Sequence, residues 1–237
     1  FRTSYLKPYG MILVTGPTGS GKSTTLYSTL HQINKPEVNI ITVEDPVEYR
    51  LPGINQVQTH AKAGLTFAAA LRSILRADPD VVLIGEIRDH ETAQIAIEAS
   101  LTGHLVLATL HTNDAPSAVT RLIEMGIEPF LVGSALDCVL AQRLARRLCS
   151  KCKQRYTPTA ETLVAARFPW TAEEPIPTLY QAVGCSACAK TGYKGRVALH
   201  EVMSVTDSVE RLTVERASSA AIEALAHAEG MVSLRLD

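Results

Sequence analysis

Aromatic residues are scarce in this chain: Phe, Trp and Tyr make up 5% of its 237 residues, and there is one Trp. A core built from it has to be packed by aliphatic side chains. Neither sign of charge dominates. The 23 Lys and Arg face 24 Asp and Glu, a formal net charge of −1, which excludes the chain-wide basic footprint of a nucleic-acid-binding protein. No apolar run approaches the ~20 residues of a membrane span, and no signal-peptide pattern opens the chain, so a soluble protein is expected. What is present, 46% hydrophobic and 20% charged residues, suits a globular chain of one large or two small domains. The chain begins with Phe1, and Met231 to Asp237 stops on an apolar-rich pattern without a breaker, so it reads as part of a longer polypeptide.

One stretch organises the rest. Gly16-Pro17-Thr18-Gly19-Ser20-Gly21-Lys22-Ser23 fits G-x-x-x-x-G-K-[ST]. It follows the apolar run Met11 to Val14 and precedes Thr24 to Leu30, whose apolar residues fall at helical spacing. Strand, glycine-rich loop and helix are the context that a phosphate-binding loop requires. The glycines let the backbone N–H groups wrap an anion, and the helix N-terminus adds partial positive charge. Lys22 would reach the β- and γ-phosphates and Ser23 would place its hydroxyl on Mg²⁺. The competing reading, a glycine-rich turn that happens to precede a lysine, leaves the flanking strand and helix unexplained. A nucleoside triphosphate site, fed by a cytosolic ATP pool, is expected.

Further acids and a histidine follow buried-strand patterns. Asn39 to Val43 reads as a strand running into Glu44-Asp45-Pro46-Val47-Glu48, and Asp80 to Ile84 as one running into Gly85-Glu86. His104 to Leu110 delivers His111, Thr112 and Asn113. Ligands of open α/β sheets sit beyond the carboxyl ends of the strands, where carboxylates hold Mg²⁺ or orient water. The blander alternatives are a solvated acidic loop, a helix-capping Glu86 and a satisfied core histidine. His111 stands at the carboxyl end of its strand, as a γ-phosphate sensor would. His104 opens the same strand, and taken alone it reads as structural. Leu51 to Thr59 suggests a turn and an edge strand, and Phe67 to Arg76 a helix. Pro116 to Met125 and Pro129 to Leu148 read as two more helices, the second enclosing Cys138. With Lys194 to Met203 as a strand and Asp207 to Val214 and Ser218 to Ala228 as helices, the pattern is α/β. It predicts a doubly wound, mainly parallel sheet with the phosphate loop at its carboxyl edge.

Four of the five cysteines fall in two C-x₂-C pairs, Cys149/Cys152 and Cys185/Cys188. Two such knuckles suit a tetrahedral Zn²⁺, whereas a redox motif needs one pair and disulfides are disfavoured in a reducing compartment. Arg143, Arg146, Arg147, Lys151, Lys153 and Arg155 cluster near the first knuckle, able to offset the negative charge of four zinc-bound thiolates or to meet a partner. The expected division is an ATPase core over 1–148, a zinc lobe over 149–192, and a C-terminal strand and helices over 193–237.

Together these residues resemble the secretion ATPase superfamily, in particular the ATPase domain of the type II secretion and type IV pilus assembly (extension) ATPases. The stretches that carry the resemblance are the loop Gly16 to Ser23, an aspartate box Val43 to Tyr49, and an atypical Walker B segment Asp80 to Asp89. A histidine box Gly103 to Asn113, Gln142-Arg143-Leu144, and the four cysteines followed by Gly192-Tyr193-Lys194-Gly195-Arg196 complete them. The resemblance implies a RecA-like P-loop NTPase fold and a hexameric ring on the cytoplasmic face of the inner membrane, peripheral and not spanning, using ATP, Mg²⁺ and Zn²⁺. Its hydrolysis would drive pilin-like subunits through an inner-membrane platform protein, with no nucleic acid. It implies Glu48 as general base, Glu86 on the Mg²⁺ shell, and His104 and His111 as γ-phosphate sensors. Lys22 joins Glu48, Glu86 and His111 as the catalytic set. Nucleotide contacts are expected from Gly16, Pro17, Thr18, Gly19, Ser20, Gly21, Lys22, Ser23, Thr24, Glu44, Asp45 and His104. The zinc lobe points to the extension or secretion branch, and His60-Ala61 departs from the family, whose members often carry Asn there. An upstream domain that supplies arginines in that family would be missing, so slow turnover is expected. A RecA-type nucleic-acid translocase and a small-molecule kinase are the alternatives, and neither explains the aspartate and histidine boxes.

Overall fold

Six consecutive buried residues, Gly10–Thr15, form strand β1, preceded by a single helical turn, α1 (Arg2–Tyr5). Helices and strands then follow as α2 (Lys22–Ile33), β2 (Ile40–Glu44), β3 (Asn55–Gln58), α3 (Phe67–Ile74), β4 (Val81–Ile84), α4 (His90–Leu101), β5 (Leu105–Leu110), α5 (Pro116–Glu124) and α6 (Pro129–Ala135). Next come β6 (Leu136–Leu148), β7 (Gln154–Tyr156), α7 (Ala160–Ala165), β8 (Leu179–Gln181), β9 (Tyr193–Ser204), α8 (Asp207–Val214) and α9 (Ser219–Ala228). The structure, a computed structural model, describes residues 1–236.

The large sheet has the order β3-β2-β4-β5-β1-β6-β9. β1 pairs in parallel with β5 and β6, β2 with β3 and β4, and β4 with β5. A parallel sheet has to be covered on both faces, which is why its central strands β1, β4 and β5 are buried along their whole length. β1 shows the consequence. Met11 and Leu13 enter one cluster with Leu71 of α3, Ile97 of α4 and Leu122 of α5. Ile12 and Val14 enter another with Leu26, Leu30 and Ile33 of α2. Five helices begin at a residue whose side-chain oxygen accepts from an amide of the first turn: Thr66 for α3, Asp89 for α4, Thr159 for α7, Thr206 for α8 and Ser218 for α9.

The structure corrects one expected element. Pro129 to Leu148 is not a single helix: α6 stops at Ala135, Leu136 turns extended with ψ 127°, and β6 runs to Leu148. Ala, Leu, Gln and Arg are good helix formers, but Met11–Thr15 of β1 offers a parallel edge, and the pairing of Leu136–Ala141 with it overrides propensity. Cys138 therefore lies on the central sheet, opposite Ile12, rather than inside a helix.

Two compact units emerge: Phe1–Arg143 with His200–Arg235, and Leu144–Leu199. The boundaries differ from the expected three segments because the end of β9 and helices α8 and α9 belong to the first unit, where Met203, Val209 and Ile222 are buried. In the second unit β7 and β8 form an antiparallel ribbon with Arg155 opposite Tyr180, and the short helix α7 lies between them in the chain. Among the described residues no helix is long and apolar enough to cross a membrane.

Glu201, on β9 and 3% exposed, ties the C-terminal part of the first unit together. Its carboxylate accepts from the amide of Ala115, at the start of α5, at 2.7 Å and from that of Leu234 at 3.1 Å. Glu201→Ala would orphan both donors and is expected to cost on the order of 2–4 kcal/mol, read as a lowered urea midpoint, with Glu201→Gln losing much less. An unchanged midpoint for the alanine variant would rule the tie out.

Candidate functional site

β1 ends at Thr15 and the chain turns sharply at Gly16, whose φ is +142°. A Cβ here would stand 2.4 Å from the carbonyl oxygen of Gln142 and 2.8 Å from Ser20 Oγ, so only glycine fits. The loop then rises through exposed Thr18 and Gly19 and returns to α2. Unlike the five helices with side-chain caps, α2 starts at Gly21 in the left-handed region (φ 93°) with no side-chain cap, leaving the amides of its first turn for a ligand. Ser23 and Thr24, on that first turn, are exposed. Ser20 Oγ is buried and, among the described residues, has no hydrogen-bond partner. Uncapped amides, an orphaned hydroxyl and a lysine at one helix end fit a phosphate chain.

Lys22 Nζ donates to the carbonyls of Gly16 (2.8 Å) and Pro17 (3.1 Å). Burial pulls its pKa below the usual lysine value, and the charge of Glu86 opposes that shift. His111, just past the end of β5, places Nδ1 3.2 Å from the same Gly16 carbonyl and Nε2 3.0 Å from Glu86 Oε1. A carbonyl can only accept, so Nδ1 carries the proton of that bond. Arg88 Nε donates to Glu86 Oε2 at 2.6 Å, and this bond raises the Arg88 pKa above its ordinary value, with Asp45 adding to it through space. Lys22, Glu86 and His111 thus meet around the Gly16 carbonyl at the carboxyl ends of β1, β4 and β5. The Gly85-Glu86 pair has a steric origin: a Cβ on Gly85 would lie 3.2 Å from the Glu44 backbone where β2 passes.

The acidic segment after β2 divides. Glu44 is 4% exposed and both its oxygens are engaged, Oε2 by the Tyr27 hydroxyl and Oε1 by Thr42 Oγ1 and Gln56 Nε2. Expected as a nucleotide or magnesium contact, it is instead an internal anchor, because three donors already occupy its lone pairs. Asp45 and Glu48 are exposed. The Glu48 amide donates to Tyr27 Oη at 3.3 Å, but its carboxylate makes no hydrogen bond or ion pair with Lys22, Glu86 or His111. His104 is a second correction. It precedes β5, its carbonyl accepts from Gly10 at the opposite edge of the sheet, and its Nδ1 faces the Ala99 carbonyl at 2.9 Å. The six residues of β5 separate it by roughly 20 Å from the rim that holds His111.

Two positions the motifs alone did not assign complete the rim. Buried Gln142 on β6 donates from Nε2 to the Ser20 carbonyl (2.8 Å) and accepts at Oε1 from Thr25 Oγ1 (2.6 Å), clasping the loop to its helix. Thr15 Oγ1 accepts from the Thr112 amide at 2.8 Å, fixing the turn after His111. Thr15 is marked only by its place at the end of an apolar run, and Gln142 is named in the family resemblance without a role, inside a segment read as helix.

In the second unit, single ligand atoms of Cys149, Cys152, Cys185 and Cys188 lie within 4.8 Å of one another. The Sγ atoms of Cys152 and Cys185 each stand 3.8 Å from that of Cys188. An ion with four thiolates at about 2.3 Å in a tetrahedron needs sulfurs about 3.8 Å apart. Amides of Cys185 and Gly192 donate to Cys188 Sγ at 3.2 and 3.3 Å, and the first of these bonds leads in pulling its thiol down to about 6. The donor set therefore fits a thiolate-bound metal ion. Cys138 stands apart, its thiol pushed up to about 11 by burial. Arg146 stacks on the Tyr193 ring (4.0 Å) and Lys153 on that of Tyr180 (4.4 Å), whereas Arg143 bonds Asn113 Oδ1 at 2.9 Å in the first unit.

A family model described as "Type II/IV secretion system protein" matches residues 1–237. The chain is 55% identical, over its full length, to the type IV pilus assembly ATPase PilB of Myxococcus xanthus, covering 42% of that protein. It is 54% identical over 94% of its length to the type II secretion system ATPase E of Vibrio cholerae, covering 44% of it. The chain thus spans less than half the length of either relative. Among solved structures it is similar to the pilus retraction motor PilT with bound ADP, at 28% identity and a TM-score of 0.66, over 96% of this chain and 60% of that one.

Gln142→Leu keeps the bulk and removes both bonds of the clasp. It is expected to weaken binding of a fluorescent nucleoside triphosphate by about tenfold, since two polar partners are left unmet. Unchanged affinity would show that the loop holds its shape without the amide.

Proposed function

The chain belongs to the Type II/IV secretion system protein family, and from that premise we propose that it is the ATP-hydrolysing part of a motor for pilus assembly or type II secretion. The observation that carries the proposal is that Lys22 and His111 both donate to the Gly16 carbonyl, with Glu86 held against His111, beside an uncapped helix N-terminus. The relatives' printed names, a pilus assembly ATPase and a secretion ATPase, agree with it. They give no support to the nucleic-acid translocase alternative.

In this reading the backbone of Gly16 to Ser23 and Thr24 holds the phosphates, and Lys22 answers the charge that develops on the transferring phosphoryl group. Ser23 and Glu86 would hold Mg²⁺, which supplies neutralisation of the phosphate oxygens. Glu48, exposed and uncommitted, takes the proton of the attacking water, and His111, tied to Gly16 and Glu86, reports on the γ-phosphate. The four cysteines hold Zn²⁺ as a closed structural site with no open position. The working protein is a hexameric ring, peripheral on the cytoplasmic face of the inner membrane, acting on a platform protein.

Lys22→Ala is expected to reduce phosphate release at least about a hundredfold, and normal release would sink the assignment. Glu48→Gln should leave nucleotide affinity within about twofold and lower turnover by about 10²–10⁴, the share of a general base. Undiminished turnover would move the base elsewhere. Elemental analysis of the purified chain should find about one zinc per chain, lost from a Cys149→Ser, Cys185→Ser variant. Iron, or no metal, would refute the zinc reading.

A further inference from the structure

Tyr27 sits on α2, five residues past Lys22, and is 2% exposed, with its hydroxyl inside the network around Glu44. The hydroxyl donates to Glu44 Oε2 and accepts from the amide of Glu48 at 3.3 Å and from Gln56 Nε2 at 3.4 Å. That is its full complement, one donation and two acceptances. Burial, followed by the hydrogen bond to Glu44, raises its pKa above the ordinary tyrosine value, so the donor keeps its proton across the working range. The ring of Tyr49, next to Glu48 in the chain, packs edge-on against the Tyr27 ring at 4.7 Å. Gln56 closes the circuit from β3: Nε2 also donates to the Tyr49 carbonyl (3.1 Å), and Oε1 accepts from the Leu51 amide (2.7 Å). The segment from Glu48 to Leu51 is therefore held at three points by two side chains. One of the two stands on the helix whose first turn carries Lys22.

We propose that Tyr27 is a positioning residue: its hydroxyl fixes the backbone at Glu48, and so sets where the Glu48 carboxylate stands relative to the phosphate loop at the head of the same helix. The inference rests on the reading of Glu48 as general base. Neither Tyr27 nor Gln56 hydrogen-bonds a residue of the Gly16 rim; both hold the 48–51 segment and the buried Glu44 carboxylate. General-base catalysis is steep in geometry, so a loosened base costs turnover while the phosphate contacts stay whole.

Tyr27→Phe removes one oxygen and keeps the ring. In the full-length polypeptide it is expected to lower kcat by about tenfold or more, with KM for ATP and affinity for a non-hydrolysable analogue within about twofold. Hydrogen exchange in the segment 45–51 should quicken while that in 22–33 stays as it was. Gln56→Leu, which leaves the Tyr27 side chain in place, should reproduce the kcat loss, and it serves if the tyrosine variant folds poorly. A purely structural tyrosine would instead lower affinity and melting temperature together with kcat, which would overturn the proposal. So would an unchanged kcat in both variants. Where Glu48→Gln still abolishes turnover, that result removes the positioning role alone; where Glu48→Gln is also active, the base assignment falls with it.

Discussion

The carbonyl of Gly16 accepts from both Lys22 Nζ and His111 Nδ1, while its α-carbon lies so near the Gln142 carbonyl that no side chain fits. The rim depends on this crowding. Because β1 is flanked by β5 on one edge and β6 on the other, its carboxyl end emerges between the strands that bring His111 and Gln142. A larger residue at position 16 would push the loop from Gln142 and Ser20 and disturb the lysine and the histidine at once. Glu86 is then placed from the next strand, with Arg88 and His111 dividing its two oxygens.

The carboxylates at this edge have been given different tasks by their surroundings. Glu44, enclosed and supplied with three donors, acts as a fixed acceptor that joins α2, β2 and β3. Glu48, four residues on, is exposed and keeps its oxygens uncommitted. The separation follows from the chain path: the last residue of a buried strand points into the fold, and the loop after it returns to solvent.

How far the residues could be read before folding depends on how local their signal was. The phosphate loop was legible because strand, glycines and helix lie within a few residues of one another, and the apolar runs of β1, β2, β4 and β5 announced a buried parallel sheet. β6 was not legible, since its composition favours a helix and its partner β1 lies more than a hundred residues away. With it went the location of Cys138 and the clasp of Gln142. His104 and His111 bracket one strand and are alike in sequence, and only strand direction tells which of them stands at the rim. The net charge of −1 likewise concealed an uneven distribution, for Leu144–Leu199 holds nine Lys and Arg against three Asp and Glu.

The pairing of β1 bears on biosynthesis. Its six residues leave the ribosome well before the strands that flank it, Leu105–Leu110 and Leu136–Ala141. Closing loops of that length has an entropic cost that must be met before any ladder bond forms, so parallel pairings between distant strands form slowly. A nascent chain therefore carries a complete glycine-rich loop long before it owns a cradle for a nucleotide. Until Ala141 has cleared the exit tunnel, the apolar faces of β1 stand open to water, and a holding chaperone has the most to protect in that interval.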